Sequence, residues 1–274
     1  MLAKLEWFNV GGSVKDRMAK YLIEYAEAAS VLDRDKTILE ATSGNTGIAL
    51  AMIAASKGYR ITITMPESVS IERRKLIKAY GAELILSPEA KGTGGAVELK
   101  QRLLEENPDR YIDINQFKDP ANILAHYQTT CQEILEQTGG RLDAVVMGVG
   151  TAGTCGGISL RLKQYNEEIK VIGVMPELGY FIQGLRNPCE PFPTQLYRPE
   201  YIDEVVELKR LENGEVFETA QRAACMEGLF VGMSSAAILY VALRRAYELG
   251  LGKRLVAVLP DSGEKYLSTP LYAG

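Results

Sequence analysis

Lys15 follows Gly11-Gly12-Ser13, where an apolar run (Leu2, Leu5, Trp7, Phe8) gives way to a helix-like pattern through Val14, Met18, Leu22 and Tyr25. Ser13 is a candidate N-cap, because its hydroxyl can accept from a free first-turn N–H. A cation in a first helical turn opposes the helix dipole. Taken alone, Lys15 is either a solvated surface lysine or an amine held for nucleophilic or proton-transfer chemistry.

Three other stretches concentrate polar groups. Thr42-Ser43-Gly44-Asn45-Thr46-Gly47 places hydroxyls, an amide and free backbone N–H groups at one helix start, which suits a carboxylate or phosphate. A glycine-flanked cap explains the same letters. Gly148-Val149-Gly150-Thr151-Ala152-Gly153-Thr154 allows close backbone approach and offers two threonines. No Walker-type lysine follows, so a single-phosphate cup fits better than a nucleotide loop, with a plain packing turn as the alternative. Pro260-Asp261-Ser262-Gly263-Glu264-Lys265-Tyr266 reads by itself as a polar turn. The one histidine, His126, lacks a surrounding nucleophile motif and is expected at a helix surface or boundary.

The elements that carry these stretches alternate between strand and helix. The pattern predicts helices near 13–30, 46–57, 70–80, 94–106, 120–138, 154–166, 213–227 and 234–250. Strands are expected at Thr37–Ala41, Tyr59–Met65, Glu83–Leu86, Tyr111–Ile114, Asp143–Gly148, Val171–Met175, 204–208 and 254–259. Such alternation predicts an α/β fold with parallel sheets covered by helices. Ligands in open sheets of this kind bind at the carboxyl ends of strands, where all four stretches fall. Residues 176–201 carry five prolines and break the rhythm as a long loop.

Composition narrows the function. The chain has 274 residues, 46% hydrophobic and 24% charged, with net charge −4 and no basic run. That gives no reason to expect nucleic acid, and no apolar run reaches membrane-spanning length. Cys131, Cys155, Cys189 and Cys225 are widely spaced, which argues against a metal site or disulfide framework and fits a reducing cytoplasm.

Together the motifs GGSVKDR, TSGNTG, Met65-Pro66-Glu67, Ser70-Ile71-Glu72-Arg73-Arg74-Lys75, Gln116-Phe117 with Asp119-Pro120-Ala121-Asn122, GVGTAGT and DSGEKYLST resemble, in order, a known family. It is that of the fold-type II pyridoxal-phosphate (PLP) enzymes, in the cysteine synthase and cystathionine β-synthase branch. The resemblance implies two three-layer α/β domains with mainly parallel sheets, as in the tryptophan synthase β-like fold. The smaller, mobile domain would hold 41–118, and the larger 1–40 and 119–274. It implies PLP as cofactor, an amino-acid substrate with a sulfide donor, and a homodimer. Lys15 then matches the Schiff-base lysine, Asn45 the partner of the cofactor's 3′-oxygen, and Ser262 the partner of the pyridine nitrogen. Gly150, Thr151, Gly153 and Thr154 match the phosphate cup; Thr42, Ser43, Thr46 and Gln116 match the substrate α-carboxylate site.

The activity implied is β-replacement through an α-aminoacrylate, giving L-cysteine from O-phosphoserine or O-acetylserine. A hydroxyl such as Ser262 cannot hold a ring nitrogen fully protonated, which suits elimination of a good leaving group. Ile182-Gln183-Gly184-Leu185-Arg186-Asn187 followed by Leu196-Tyr197-Arg198-Pro199-Glu200, and Lys265-Tyr266-Leu267-Ser268-Thr269 with Tyr272-Ala273-Gly274, resemble the O-phosphoserine branch, in which Arg186 matches the phosphate-pairing arginine. An ordinary solvated arginine is the alternative, favouring O-acetylserine. Rival readings are a serine/threonine dehydratase, a cystathionine-forming enzyme, or a non-catalytic homologue. The sequence departs from the family at Val10, usually proline, and at Ala152, usually glycine. It also starts inside the strand leading to Lys15, where relatives usually carry a preceding segment with Thr-Pro-Leu.

Overall fold

The computed structural model describes residues 1–272. Ala273 and Gly274, part of the tail compared above with the O-phosphoserine branch, lie outside the described residues. The chain begins β1 (Leu2–Leu5), α1 (Lys15–Ala28), β2 (Thr37–Ala41), α2 (Asn45–Lys57), β3 (Arg60–Pro66) and α3 (Ile71–Ala79). It continues with β4 (Glu83–Ser87), α4 (Gly92–Glu106), β5 (Tyr111–Asp113), α5 (Ala121–Ala125), a π turn (His126–Thr130) and α6 (Cys131–Thr138). Then come β6 (Ala144–Gly148), α7 (Gly153–Tyr165), β7 (Lys170–Pro176), β8 (Glu204–Leu208), α8 (Asn213–Glu227), α9 (Met233–Leu249) and β9 (Leu255–Leu259).

Two sheets result, of order β1-β9-β6-β7-β8 and β4-β3-β2-β5, with every strand pair parallel. Parallel strands need crossovers, and the intervening helices supply them. The fold is thus α/β with two domains, one on each sheet. The central strands of the larger sheet are apolar on both faces. Ala144 and Val146 of β6, with Leu255, Ala257 and Leu259 of β9, face one core with α8 and α9. The alternating residues Val145, Met147, Val256 and Val258 face the other, with α6 and α7. This two-residue alternation explains why these strands read as unbroken apolar runs. A third core joins α1, α2 and α3 to the smaller sheet.

Helix boundaries shift by one or two residues from expectation, except over 120–138. There the backbone widens into the π turn between α5 and α6. Beside it Gly157 of α7 packs tightly: a Cβ on it would lie 2.3 Å from Ile123 O and 2.7 Å from Tyr127 N. Both neighbours are backbone and cannot swing aside. Gly157→Ala would gain up to about 1 kcal/mol of helix propensity. Overpacking costs about 1–3 kcal/mol, so a net loss is expected. Urea denaturation tests this, and an unchanged or raised midpoint would contradict the packing argument.

Candidate active site

A cavity of about 750 Å³ opens where strands of both sheets end. Its wall includes Lys15, the Thr42–Thr46 loop, Gln116, Gly150, Thr151, Thr154, Arg186 and Pro260. Gly153 and Ser262 are not on it. Gly153 is packed behind, where a Cβ would lie 1.8 Å from Asn122 Oδ1. The Ser262 hydroxyl donates to the Glu264 carboxylate.

Lys15 opens α1. Val14 is the cap residue, yet Ser13 Oγ still accepts from Lys15 N at 3.3 Å, the role expected of it. The glycine turn before it is fixed by charge. Gly12 has φ +74°, and Lys265 Nζ donates to its carbonyl at 2.7 Å. Gly11 N donates to Asp16 Oδ2, and a Cβ there would meet that carboxylate at 2.6 Å. Burial lowers the Lys15 ammonium pKa to about 8, with the Asp261 charge working against the shift. Lys15 is therefore an amine of nearly neutral pKa on a cavity wall.

The Thr42–Thr46 loop leads into α2, whose first N–H groups lack partners within the helix. Thr46 Oγ1 donates to Gln116 Oε1 at 2.7 Å, and Gln116 Nε2 to Ala41 O at 2.8 Å. Gln116 N donates to Glu40 Oε2 at 2.9 Å, and Lys100 Nζ donates to Glu40 Oε1 at 3.1 Å. A fully buried ion pair thus stands behind the loop.

The start of α7 forms another part of the wall. Thr151 Oγ1 accepts from Asn122 Nδ2 at 3.1 Å. Thr154 Oγ1 lies 3.2 Å from His126 Nε2, and His126 Nδ1 lies 2.9 Å from Thr130 Oγ1. His126 is fully buried, which corrects the expected surface or boundary position: the π turn rolls its ring inward between two threonines. Burial, with the Lys15 and Arg17 charges, pushes its pKa well below the usual histidine value, so the ring is neutral. Ala152 has φ +67°, in the left-handed region, where a Cβ costs roughly 1–2 kcal/mol.

Arg186 is not solvated: it is 8% exposed, its Nε donates to Glu190 Oε2 at 3.1 Å, and Nη1 has no partner. Sequence reasoning missed Arg73, 2% exposed on the cavity wall, and the roles of Asp261, Glu40 and Lys100. The usable signal was Glu40 between Ile38-Leu39 and Ala41 of β2, since a buried carboxylate requires a partner.

Residues 1–261 match the family described as pyridoxal-phosphate dependent enzymes. The chain belongs to that family. Among relatives of this PLP-dependent enzyme, cysteine synthase of Staphylococcus aureus is 43% identical over 98% of this chain and 88% of its own. The crystal structure of an O-ureido-L-serine synthase superposes with TM-score 0.91 at 40% identity, covering 99% of this chain and 87% of the other. That of cysteine synthase from Entamoeba histolytica gives 0.87 at 39%, covering 98% and 81%.

The residues present fit the cofactor. PLP needs an amine, a phosphate cradle and a polar partner for its ring oxygen. Lys15 supplies an amine of lowered pKa. At Gly150 a Cβ would lie 2.7 Å from Gly184 O, so the cradle backbone is bare by necessity. Asn45 Oδ1 is buried without a partner. Among the described residues no cluster of His, Cys, Asp or Glu could hold a metal ion, and no helix is long and apolar enough to cross a membrane.

Proposed function

We propose that the chain catalyses β-replacement, forming L-cysteine from an activated serine and a sulfide donor. The observation that carries this reading is the amine of Lys15, lowered to about 8, on a cavity wall shared with two helix N-termini. One of these suits a phosphate and the other a carboxylate. The similarity to cysteine synthases supports the same reaction.

In this reading Gly150, Thr151 and Thr154, with Gly153 packed behind them, would cradle the cofactor phosphate, Asn45 would face its ring and Lys15 would tether it; Ser262 would have to leave Glu264 to reach the ring nitrogen. When bound, the cofactor supplies an electron sink for the substrate α-carbon. Thr42, Ser43, Thr46 and Gln116 hold the substrate carboxylate, orienting the Cα–H bond. Lys15 Nζ takes the α-proton as general base. The unit over 41–118 closes on the bound carboxylate and excludes water. The chain works as a homodimer in the cytoplasm; exposed Phe8 and Val10 beside the glycine turn, and four cysteines without a disulfide, support this.

For the donor, the buried, unpartnered Nη1 of Arg186 favours the anionic substituent of O-phosphoserine. Its pairing with Glu190, and the cysteine synthase relatives, favour O-acetylserine. The purified chain, given PLP, sulfide and each donor in turn, tests the reading. Cysteine release is expected, and a chain that binds PLP yet forms no cysteine from either donor overturns it. Arg186→Ala should depress use of O-phosphoserine selectively if that donor is the true one.

A pH dependence follows. Only the uncharged amine can attack an aldehyde, and Lys15 loses its proton near pH 8. Capture of PLP by the apo-chain should therefore accelerate as pH rises, with a midpoint near 8. Stopped-flow absorbance measures it; a midpoint above 10, as for a solvated lysine, would contradict the assignment.

A further inference from the structure

We infer that Arg73 and Asp261 form a positioning pair that fixes the amide of Asn45, so that its Oδ1 faces the cavity. The inference rests on the proposed role of Asn45 toward the cofactor ring. Arg73 belongs to α3 of the smaller domain, in the short cluster Arg73-Arg74-Lys75, but its side chain is almost wholly buried. Its Nη2 lies 3.5 Å from Asp261 Oδ2, its guanidinium sits 4.3 Å from the Tyr266 ring centroid, and its Nη1 donates to Gln183 Oε1. Asp261, fully buried just beyond β9, accepts on the same Oδ2 from Asn45 Nδ2 at 2.7 Å and Tyr266 OH at 2.8 Å. Two elements of the smaller sheet, α2 and α3, and the end of a strand of the larger one therefore converge on one carboxylate oxygen.

An isolated asparagine amide can present either its oxygen or its nitrogen to a neighbour. A carboxylate only accepts, so Asp261 forces the nitrogen toward itself and directs Oδ1 elsewhere. Oδ1 is left buried and unpartnered, and Asn45 lines the cavity. Gly44 carries a second sign. A Cβ there would stand 2.4 Å from Arg73 Cδ and 2.5 Å from Nε. The glycine before Asn45 makes room for the arginine as well as shaping a turn. Stability alone does not account for the pair, because apolar residues of similar volume can replace a buried ion pair without loss. The guanidinium spans two partners, Nη1 on Gln183 and Nη2 beside Asp261, a planar geometry that a lysine ammonium does not offer.

The test compares holoenzymes of the wild type, Asp261→Asn, Arg73→Met and Arg73→Lys, with exposed Lys75→Met as control. Asp261→Asn keeps the shape but lets either end of the Asn45 amide face it. The expected result for Asp261→Asn and Arg73→Met is an altered visible circular-dichroism band of bound PLP and a KM for the serine donor raised about tenfold or more, the loss of one charge-assisted hydrogen bond. Their kcat should change much less. Arg73→Lys, keeping charge without the fork, should fall between wild type and Arg73→Met. Variants that melt earlier but keep the wild-type band and KM overturn the inference. Should Arg73→Met fail to fold, Asp261→Asn and Arg73→Lys carry the test: a wild-type band and KM in both would overturn the inference. A wild type without a visible PLP band would refute the proposed function itself, a separate outcome.

Discussion

Lys15→Ala is expected to abolish turnover, lowering kcat by at least about a thousandfold. That figure follows from losing a general base, worth roughly 100- to 10,000-fold, together with the cofactor's tether. The variant should also lose the visible band of bound PLP, because an alanine offers no amine. Little loss of stability is expected: Lys15 is half-buried, and its ammonium already suffers from burial. Absorbance, a melting curve and a cysteine assay on the same preparation separate the effects. A variant that folds, stays coloured and turns over normally would remove Lys15 from the chemistry.

Lys100→Met is expected to cost about 3–5 kcal/mol, the usual penalty for stranding one member of a buried pair. Set against a total stability of about 5–15 kcal/mol, this endangers the fold. Glu40 is fully buried, and Lys100, 3% exposed, also donates to Asp113 Oδ1 at 2.9 Å. Glu40 grips the backbone of Gln116 as well, so residual folded protein should show a raised KM for the amino-acid donor. Burial by itself would lower the Lys100 pKa, but Glu40 and Asp113 outweigh it and raise it above the ordinary lysine value. A raised folded pKa means that the stabilisation is complete below the unfolded-chain value, about 10.4. It disappears as pH climbs through the folded value. The gap between wild type and variant should thus be full at pH 7 and shrink only in strong alkali. Urea titrations at pH 7 and above 10 measure it; equal midpoints at pH 7 would refute the argument.

Much of the fold was legible because its signals are local. Val145-Val146-Met147 and Leu255–Leu259 are buried on both faces and read directly as strands. The glycines at 11–12, 44 and 150 mark turns that the structure does require. Long-range pairing was not legible. Arg73 showed only as one letter of a matching motif, because its partner, Asp261, comes far later in the chain. His126 looked peripheral because nothing local announces a π turn, and a solvated Arg186 stayed open as an alternative because Phe117 and Glu190 cover it only after folding. In each case a charge or polar ring is buried by residues that sequence spacing does not bring near. At the site, the loops were readable from composition, while the supports beneath them, Glu40 with Lys100 and Asp261 with Arg73, were not.

The strand leading to Lys15 pairs with the last strand: Leu2 lies opposite Val256 and Leu5 opposite Leu259, while Val14 N donates to Pro260 O. Synthesis runs in the other order. A nascent chain carries Lys15 into water long before β9 leaves the ribosome, and until then the amine is an ordinary, protonated lysine. Its lowered pKa comes from burial and so belongs to the finished molecule. Both ends of the sequence must therefore be in place before the cavity wall that holds this amine exists.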